Sequence, residues 1–321
     1  MANFFKSLFQ GNKKEETSEN GKDKTSQKNF DILKYDGIRA QRMGRIDYAI
    51  KCYANAVKIE EDFEVMGYLS QLYIHTENYD SGKALLERMI ELEPQIITSY
   101  LTLGNLFFLQ EAYPDMINIL EKGISIEANN VNVHCLLAKA KKGIKEYTQA
   151  VEHLTRAISL KDDIIEPFLM RAEVYMELQQ YPQAMADIAK VLELQPEEEH
   201  ALLVRGKINE LTDKPADAEK DYRQVIELNP FHDQAFIHLA QLYSKQEKYK
   251  EAVELCDEAI DFNPNSAGLY NERAKAKISL GDKEGAEGDA QMAKQLVDTG
   301  ADQKGNEPVQ QEEPKNSLGL P

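Results

Sequence analysis

Six histidines and three cysteines are the side chains in this sequence best suited to hold a metal or attack a substrate, and their spacing argues against both uses. Two imidazoles on one helix reach the same ion when they stand four residues apart. His75, His134, His153, His200, His232 and His238 never do, and the nearest two, His232 and His238, are six apart. Cys52, Cys135 and Cys256 form no CxxC pair, which suits reduced thiols better than a disulfide framework. No GxGxxG, Walker-type G-x-x-x-x-G-K or G-x-S-x-G is present to cradle phosphate or raise a nucleophile. Glu197, Glu198 and Glu199 are consecutive, but acids opening a helix complement its dipole. Acid and base catalysis needs two carboxyls whose surroundings separate their pKa values, and nothing in the sequence specifies such a pocket. The residues point to a protein that is not an enzyme and takes no cofactor or metal.

Charge narrows the partners. The formal net charge is −17, and the ends do not supply it, because residues 1–29 hold six Lys against four acids. An acidic middle repels phosphate, so no nucleic-acid binding is expected. The first ten residues, MANFFKSLFQ, lack the basic start and unbroken apolar core of a secretion signal. Apolar runs elsewhere fall short of the roughly 18 residues a spanning helix needs. With the unpaired cysteines, this predicts a cytoplasmic protein.

What organises the chain is a period. YPQAMADIAKVLELQP (181–196), PADAEKDYRQVIELNP (215–230) and YKEAVELCDEAIDFNP (249–264) follow one another at intervals of 34 residues. Extended over the chain, this interval gives eight repeats at 30–62, 63–96, 97–130, 131–164, 165–198, 199–232, 233–266 and 267–300, the first shorter by one residue. The eighth position holds Gly37, Ser70, Gly104, Ala138, Ala172, Gly206, Ala240 and Ala274, all small. With small residues at about one in five of ordinary sequence, that is a chance on the order of one in several hundred thousand, so the period is real. The twentieth is small except for Met116, and the twenty-fourth holds Tyr53, Leu86, Leu120, Leu154, Ile188, Tyr222, Cys256 and Ala290.

Each repeat reads as two helices. Tyr100, Leu103 and Phe107 mark one apolar face and Leu86, Met89 and Ile90 another, at helical steps. Pro114 and Pro182 fall where a second helix should start, the place at which proline costs no hydrogen bond. Two helices joined by a short turn approach to about 8–10 Å only where side chains are small, which the eighth and twentieth positions provide. One such pair leaves an apolar side uncovered, so repeats must stack.

These columns resemble the tetratricopeptide repeat. Large apolar residues at position four (Tyr100, Phe168, Phe236, Tyr270), Tyr at seventeen (Tyr79, Tyr113, Tyr147, Tyr181, Tyr249) and Pro at thirty-two match it over about 270 residues. Departures are the absence of Trp and the replacement of the closing Pro by Glu61, Ala128, Asp162 and Asp298. The resemblance implies an all-α, right-handed superhelical solenoid that acts as a non-catalytic scaffold or adaptor, binding a partner peptide or helix on its concave surface. First-helix positions two, five, nine, twelve and thirteen line that surface in the family. Carried over, they nominate Leu101, Asn105, Phe108, Leu109, Cys135, Lys139, Lys142, Leu169, Glu173 and Met176. Family members that grip acidic chaperone tails use a carboxylate clamp of Lys, Asn and Arg. Here only Asn105 matches, with Leu101, Leu136, Glu166 and Met170 at other clamp places, so no chaperone-tail binding is expected.

Flanking segments differ. Residues 10–29 contain no hydrophobic side chain and read as a linker, and 301–321 read as a disordered tail. Within residues 1–9, Met1, Phe4, Phe5, Leu8 and Phe9 share a helical arc of about 140°. That face is open to three uses: packing on the protein's own solenoid, docking into a partner protein, or shallow membrane contact, the last short of the usual basic complement because Lys6 stands alone. The alternative function is therefore a structural assembly or membrane-peripheral factor that docks through FFKSLF.

Overall fold

The computed structural model describes residues 19–300, and their regular structure is sixteen α-helices with no strand. The FFKSLF segment with Phe4, Phe5, Leu8 and Phe9, residues 10–18 and the tail 301–321 lie outside the described residues. The chain divides after Leu160 into two compact halves. The N-terminal half holds α1 (Glu19–Arg42), α2 (Ile46–Ile59), α3 (Phe63–His75), α4 (Tyr79–Leu92), α5 (Ile97–Leu109), α6 (Tyr113–Ile126), α7 (Val131–Gly143) and α8 (Tyr147–Leu160). The C-terminal half holds α9 (Ile165–Glu177), α10 (Tyr181–Leu194), α11 (Glu199–Leu211), α12 (Pro215–Leu228), α13 (Asp233–Lys245), α14 (Tyr249–Phe262), α15 (Ala267–Leu280) and α16 (Lys283–Asp298).

Odd and even helices pair as hairpins, α1 with α2 through α15 with α16. Within the N-terminal half α2 packs on α3, α4 on α5 and α6 on α7; within the C-terminal half α10 meets α11, α12 meets α13 and α14 meets α15. Starts are set locally. Asp62, Asn78 and Asn130 accept bonds from the amides of Val65, Ser81 and Val133, and Pro114, Pro182 and Pro215 occupy first turns. The missing residue of the first repeat comes out of the connection between its hairpin and the next: three residues separate α2 from α3, where four separate α4 from α5.

Every hairpin turns through a left-handed residue at the fifteenth position: Gly44, Glu77, Glu111, Lys145, Gln179, Asp213, Glu247 and Gly281. The next amide reaches back over the turn, as when Ala112 N donates to Phe107 O at 2.9 Å and Glu146 N to Lys141 O at 2.8 Å. Six side chains therefore sit in a conformation that suits glycine. Glu111, exposed and turned to φ 54°, is the cleanest test: Glu111→Gly should stabilise the chain by about 1 kcal/mol, read as a higher midpoint in urea unfolding.

The small column has a specific opponent. A Cβ on Gly104 would lie 2.9 Å from Leu120 Cδ2, and one on Gly37 or Gly206 would enter the ring of Tyr53 or Tyr222. Position eight thus faces position twenty-four of its own hairpin. Where the twenty-fourth residue is Tyr, the eighth is Gly. The rings are fully buried, and each hydroxyl donates to position twelve, Tyr53 to Gln41 Oε1 at 3.1 Å and Tyr222 to Glu210 Oε1 at 2.6 Å. Gly82, of the twentieth column, lies against Ile74 of its own first helix and Leu106 of the next.

One boundary moves. Residues 19–29, expected as linker, are helical and continue α1 outward from the buried Phe30. Once Phe30 and its neighbours fix the helix, adding residues needs no new nucleus, and Lys24, Gln27 and Lys28 tolerate a helix well.

Candidate functional site

In the N-terminal half α5 and α7 lie side by side, which brings their nominated positions onto neighbouring helices. On α5 Leu101 is half-buried, Asn105 is exposed, Phe108 is 40% exposed and Leu109 is 54% exposed. Two large apolar side chains left in water on consecutive residues mark a surface that gains from being covered. Phe108 meets the ring of Tyr113 edge-on at 6.3 Å, and Tyr113 in turn lies against Gly143 at the end of α7, where a Cβ would come within 2.6 Å of the ring. The absent side chain lets the ring lie flat against α7, so Phe108, Tyr113 and α7 form one aromatic ledge. Lys139 and Lys142 are half-buried on α7 beside it. Cys135, nominated with them, is instead buried and belongs to the core, because neighbouring side chains cover it.

In the C-terminal half Leu169, Glu173 and Met176 are half-buried on α9. Glu173 is engaged within the protein: its Oε1 lies 2.8 Å from His200 Nε2 on α11, and that bond holds the imidazole's pKa above its ordinary value. Glu210 similarly takes Lys245 at 2.8 Å as well as the Tyr222 hydroxyl. Polar pairs between successive first helices therefore occupy this stretch, whereas α5 leaves Phe108 and Leu109 in water beside Asn105.

His134, His153, His238 and the cysteines serve packing. His134 Nε2 lies 3.1 Å from the Ala128 carbonyl, which can only accept, so that nitrogen carries the proton and His134 Nδ1 accepts from His153 Nδ1 at 3.2 Å. Burial, then the neighbouring His134, push His153 below its usual pKa. Burial also pushes His238, stacked on Tyr222, down to about 4. Among the described residues no three His, Cys, Asp or Glu side chains come together to hold a metal ion. All three cysteines are buried, and burial raises the Cys256 thiol to about 12, far from a reactive thiolate.

One repeated arrangement escapes a reading by hydrophobicity. Positions seven and twenty-three of three C-terminal hairpins carry Arg171 with Asp187, Arg205 with Asp221 and Arg273 with Asp289, each a two-pronged pair around a buried carboxylate. Burial opposes ionisation of Asp289, but Arg273 and Lys277 together hold its pKa below the ordinary carboxylate value. In the hairpin of α13 and α14 the same two places hold Leu239 and Leu255, both buried. The signal was present as Arg and Asp recurring sixteen residues apart in the same columns.

Family models described as tetratricopeptide repeat match residues 131–164 and 165–198, and a second such model matches 234–266. No curated protein matches the sequence. Among solved structures, a tetratricopeptide repeat protein from Parabacteroides merdae is 19% identical, with a TM-score of 0.61 over 76% of this chain and 96% of its own. Pseudomonas aeruginosa pilF is 18% identical, with a TM-score of 0.53 over 65% of this chain and 95% of its own. At these identities the likeness is one of fold.

Proposed function

We propose that this tetratricopeptide repeat protein is a non-catalytic adaptor that holds a peptide or helix of another protein against its first helices, with α5 and α7 as the main contact. The fold is one that binds proteins, and its stacked hairpins offer area for a partner. The observation that carries the reading is the exposure of Phe108 and Leu109 on a rigid helix end, backed by Tyr113 and flanked by Lys139 and Lys142. Aromatic anchors beside cations suit a partner segment with apolar side chains and acids, since anchors in fixed pockets supply most interface energy. The lysines add steering that salt weakens. Leu169 and Met176 offer a second, smaller apolar contact on α9.

The test compares the full chain with its Phe108→Asp/Leu109→Asp variant by affinity purification from native cells with mass spectrometry, followed by titration of the purified partner. Burying two uncompensated carboxylates should weaken the partner's binding by at least about a hundredfold, because unpaired charges in an interface cost several kcal/mol. Unchanged binding, with circular dichroism showing intact helices, would remove this face from the mechanism. Leu169→Asp/Met176→Asp measured in parallel reports whether α9 takes part.

A further inference from the structure

The first helix of an inner hairpin is covered by the hairpin before it. In the N-terminal half its third position holds Val65, Ser99 and Val133 and its tenth Leu72, Leu106 and Ala140, all buried. α1 departs from this. Its third position, Ile32, is 49% exposed; Tyr35 beside it is 69% exposed; Arg39, at the tenth, points into water with Asp36. Tyr48 of α2 adds to the same surface: it lies close to Asp36 and Arg39 and is 52% exposed. Its column elsewhere in this half is polar, Ser81, Asp115 and Gln149. The first hairpin therefore carries more apolar surface on its outer side than its position explains, and an end that only met water would carry polar residues there.

The chain holds a segment matched to that surface. FFKSLF ends at Phe9, and nine residues, 10–18, separate it from the start of α1 at Glu19. Ile32 and Tyr35 lie about 20–24 Å along α1 from Glu19, and nine extended residues span about 30 Å. A segment doubling back would run antiparallel to α1. Its apolar arc would meet Ile32, Tyr35 and Tyr48, and Lys6, the single charged residue among the first ten, would face the acids Asp31 and Asp36. A tether this short gives an effective concentration in the millimolar range, so a small apolar contact suffices. The occupant that a lone lysine suits least is an anionic membrane, which calls for a basic face.

We infer that residues 4–9 fold back on the outer face of the first hairpin, across Ile32, Tyr35 and Tyr48, and close the array there as a preceding repeat would. This capping is independent of partner binding at α5 and α7.

Hydrogen–deuterium exchange on the full chain tests it, comparing the natural sequence with Phe4, Phe5, Leu8 and Phe9 all changed to Ser, a change outside the array that leaves the helices to fold. Amides of residues 30–42 should exchange at least about tenfold faster in the serine variant, at any protein concentration, with α5–α8 unaffected. In the full chain Ile32→Glu/Tyr35→Glu should give the same acceleration, and combining the two sets should add little. Equal exchange in natural and serine chains would overturn the inference, as would additive effects of the two sets. Protection that rises with concentration and accompanies a dimer in sedimentation would replace the intramolecular contact by a second copy. Protection found on α5 and α7 instead would place the segment on the partner face and equally refute capping.

Discussion

Asp187→Ala should cost the C-terminal half about 3–5 kcal/mol, while Arg171→Leu/Asp187→Leu should lie within about 1 kcal/mol of the natural protein or above it. Asp187 is 5% exposed and takes Arg171 Nε at 2.8 Å and Nη2 at 2.7 Å, so removing the carboxylate alone takes the counter-charge from a largely buried guanidinium. Removing both charges restores an apolar contact, at the loss of Arg171 over the rings of Phe168 and Tyr175. The protein already contains that apolar arrangement at the equivalent places, Leu239 and Leu255. Urea unfolding of the natural protein, Arg171→Leu, Asp187→Leu and the double leucine variant gives the coupling. If the double variant is as unstable as Asp187→Ala, the buried pair is a net source of stability and the interchange with Leu–Leu is false. The pair in α15–α16 has a consequence for acid: as pH falls through the depressed pKa of Asp289, the stability its ionised form contributes is lost, whereas above the ordinary carboxylate range it is fully present.

Gly206→Ala should destabilise by about 1–3 kcal/mol, against the roughly 1 kcal/mol that alanine normally gains over glycine within a helix. The added carbon would come 2.9 Å from Tyr222 Cδ1 and closer still to its neighbour in the ring, and the ring cannot retreat because it is fully buried and its hydroxyl is held by Glu210. Tyr222→Leu alone should also lose stability, about 2–4 kcal/mol, through the cavity it leaves. Together the two changes should recover most of the loss, since Ala with Leu is what the chain carries at Ala138 and Leu154, both buried. A double variant less stable than either single change would show that the eighth and twenty-fourth positions are not matched in size.

The helical hairpins were legible because their determinants are local. Pro114 and Pro182 fix φ, Tyr79 and Tyr113 start second helices, and Gln195 and Asn229 end them, all through interactions within a turn or two of chain. Legible in part was the binding face. Phe108 and Leu109 are exposed on α5 as their columns imply, but Cys135 is inside and Glu173 is bound to His200. Column membership tells which way a position points in an average repeat, and the neighbouring helix decides how much of it is covered. The extension of α1 to Glu19 was hidden because a polar stretch reads as linker unless a packed helix already stands beside it to be prolonged.

By itself, then, the sequence determined the period, the hairpin and the small columns, since each is a pattern in one dimension. Only the tertiary structure decided which small residue meets which large one, that Arg171 closes on Asp187 sixteen residues away, and that Ile32 and Tyr35 stand uncovered. The reason is physical: burial, ion pairing and exposure depend on the distance between side chains carried by different helices, and that distance is fixed only when the hairpins pack.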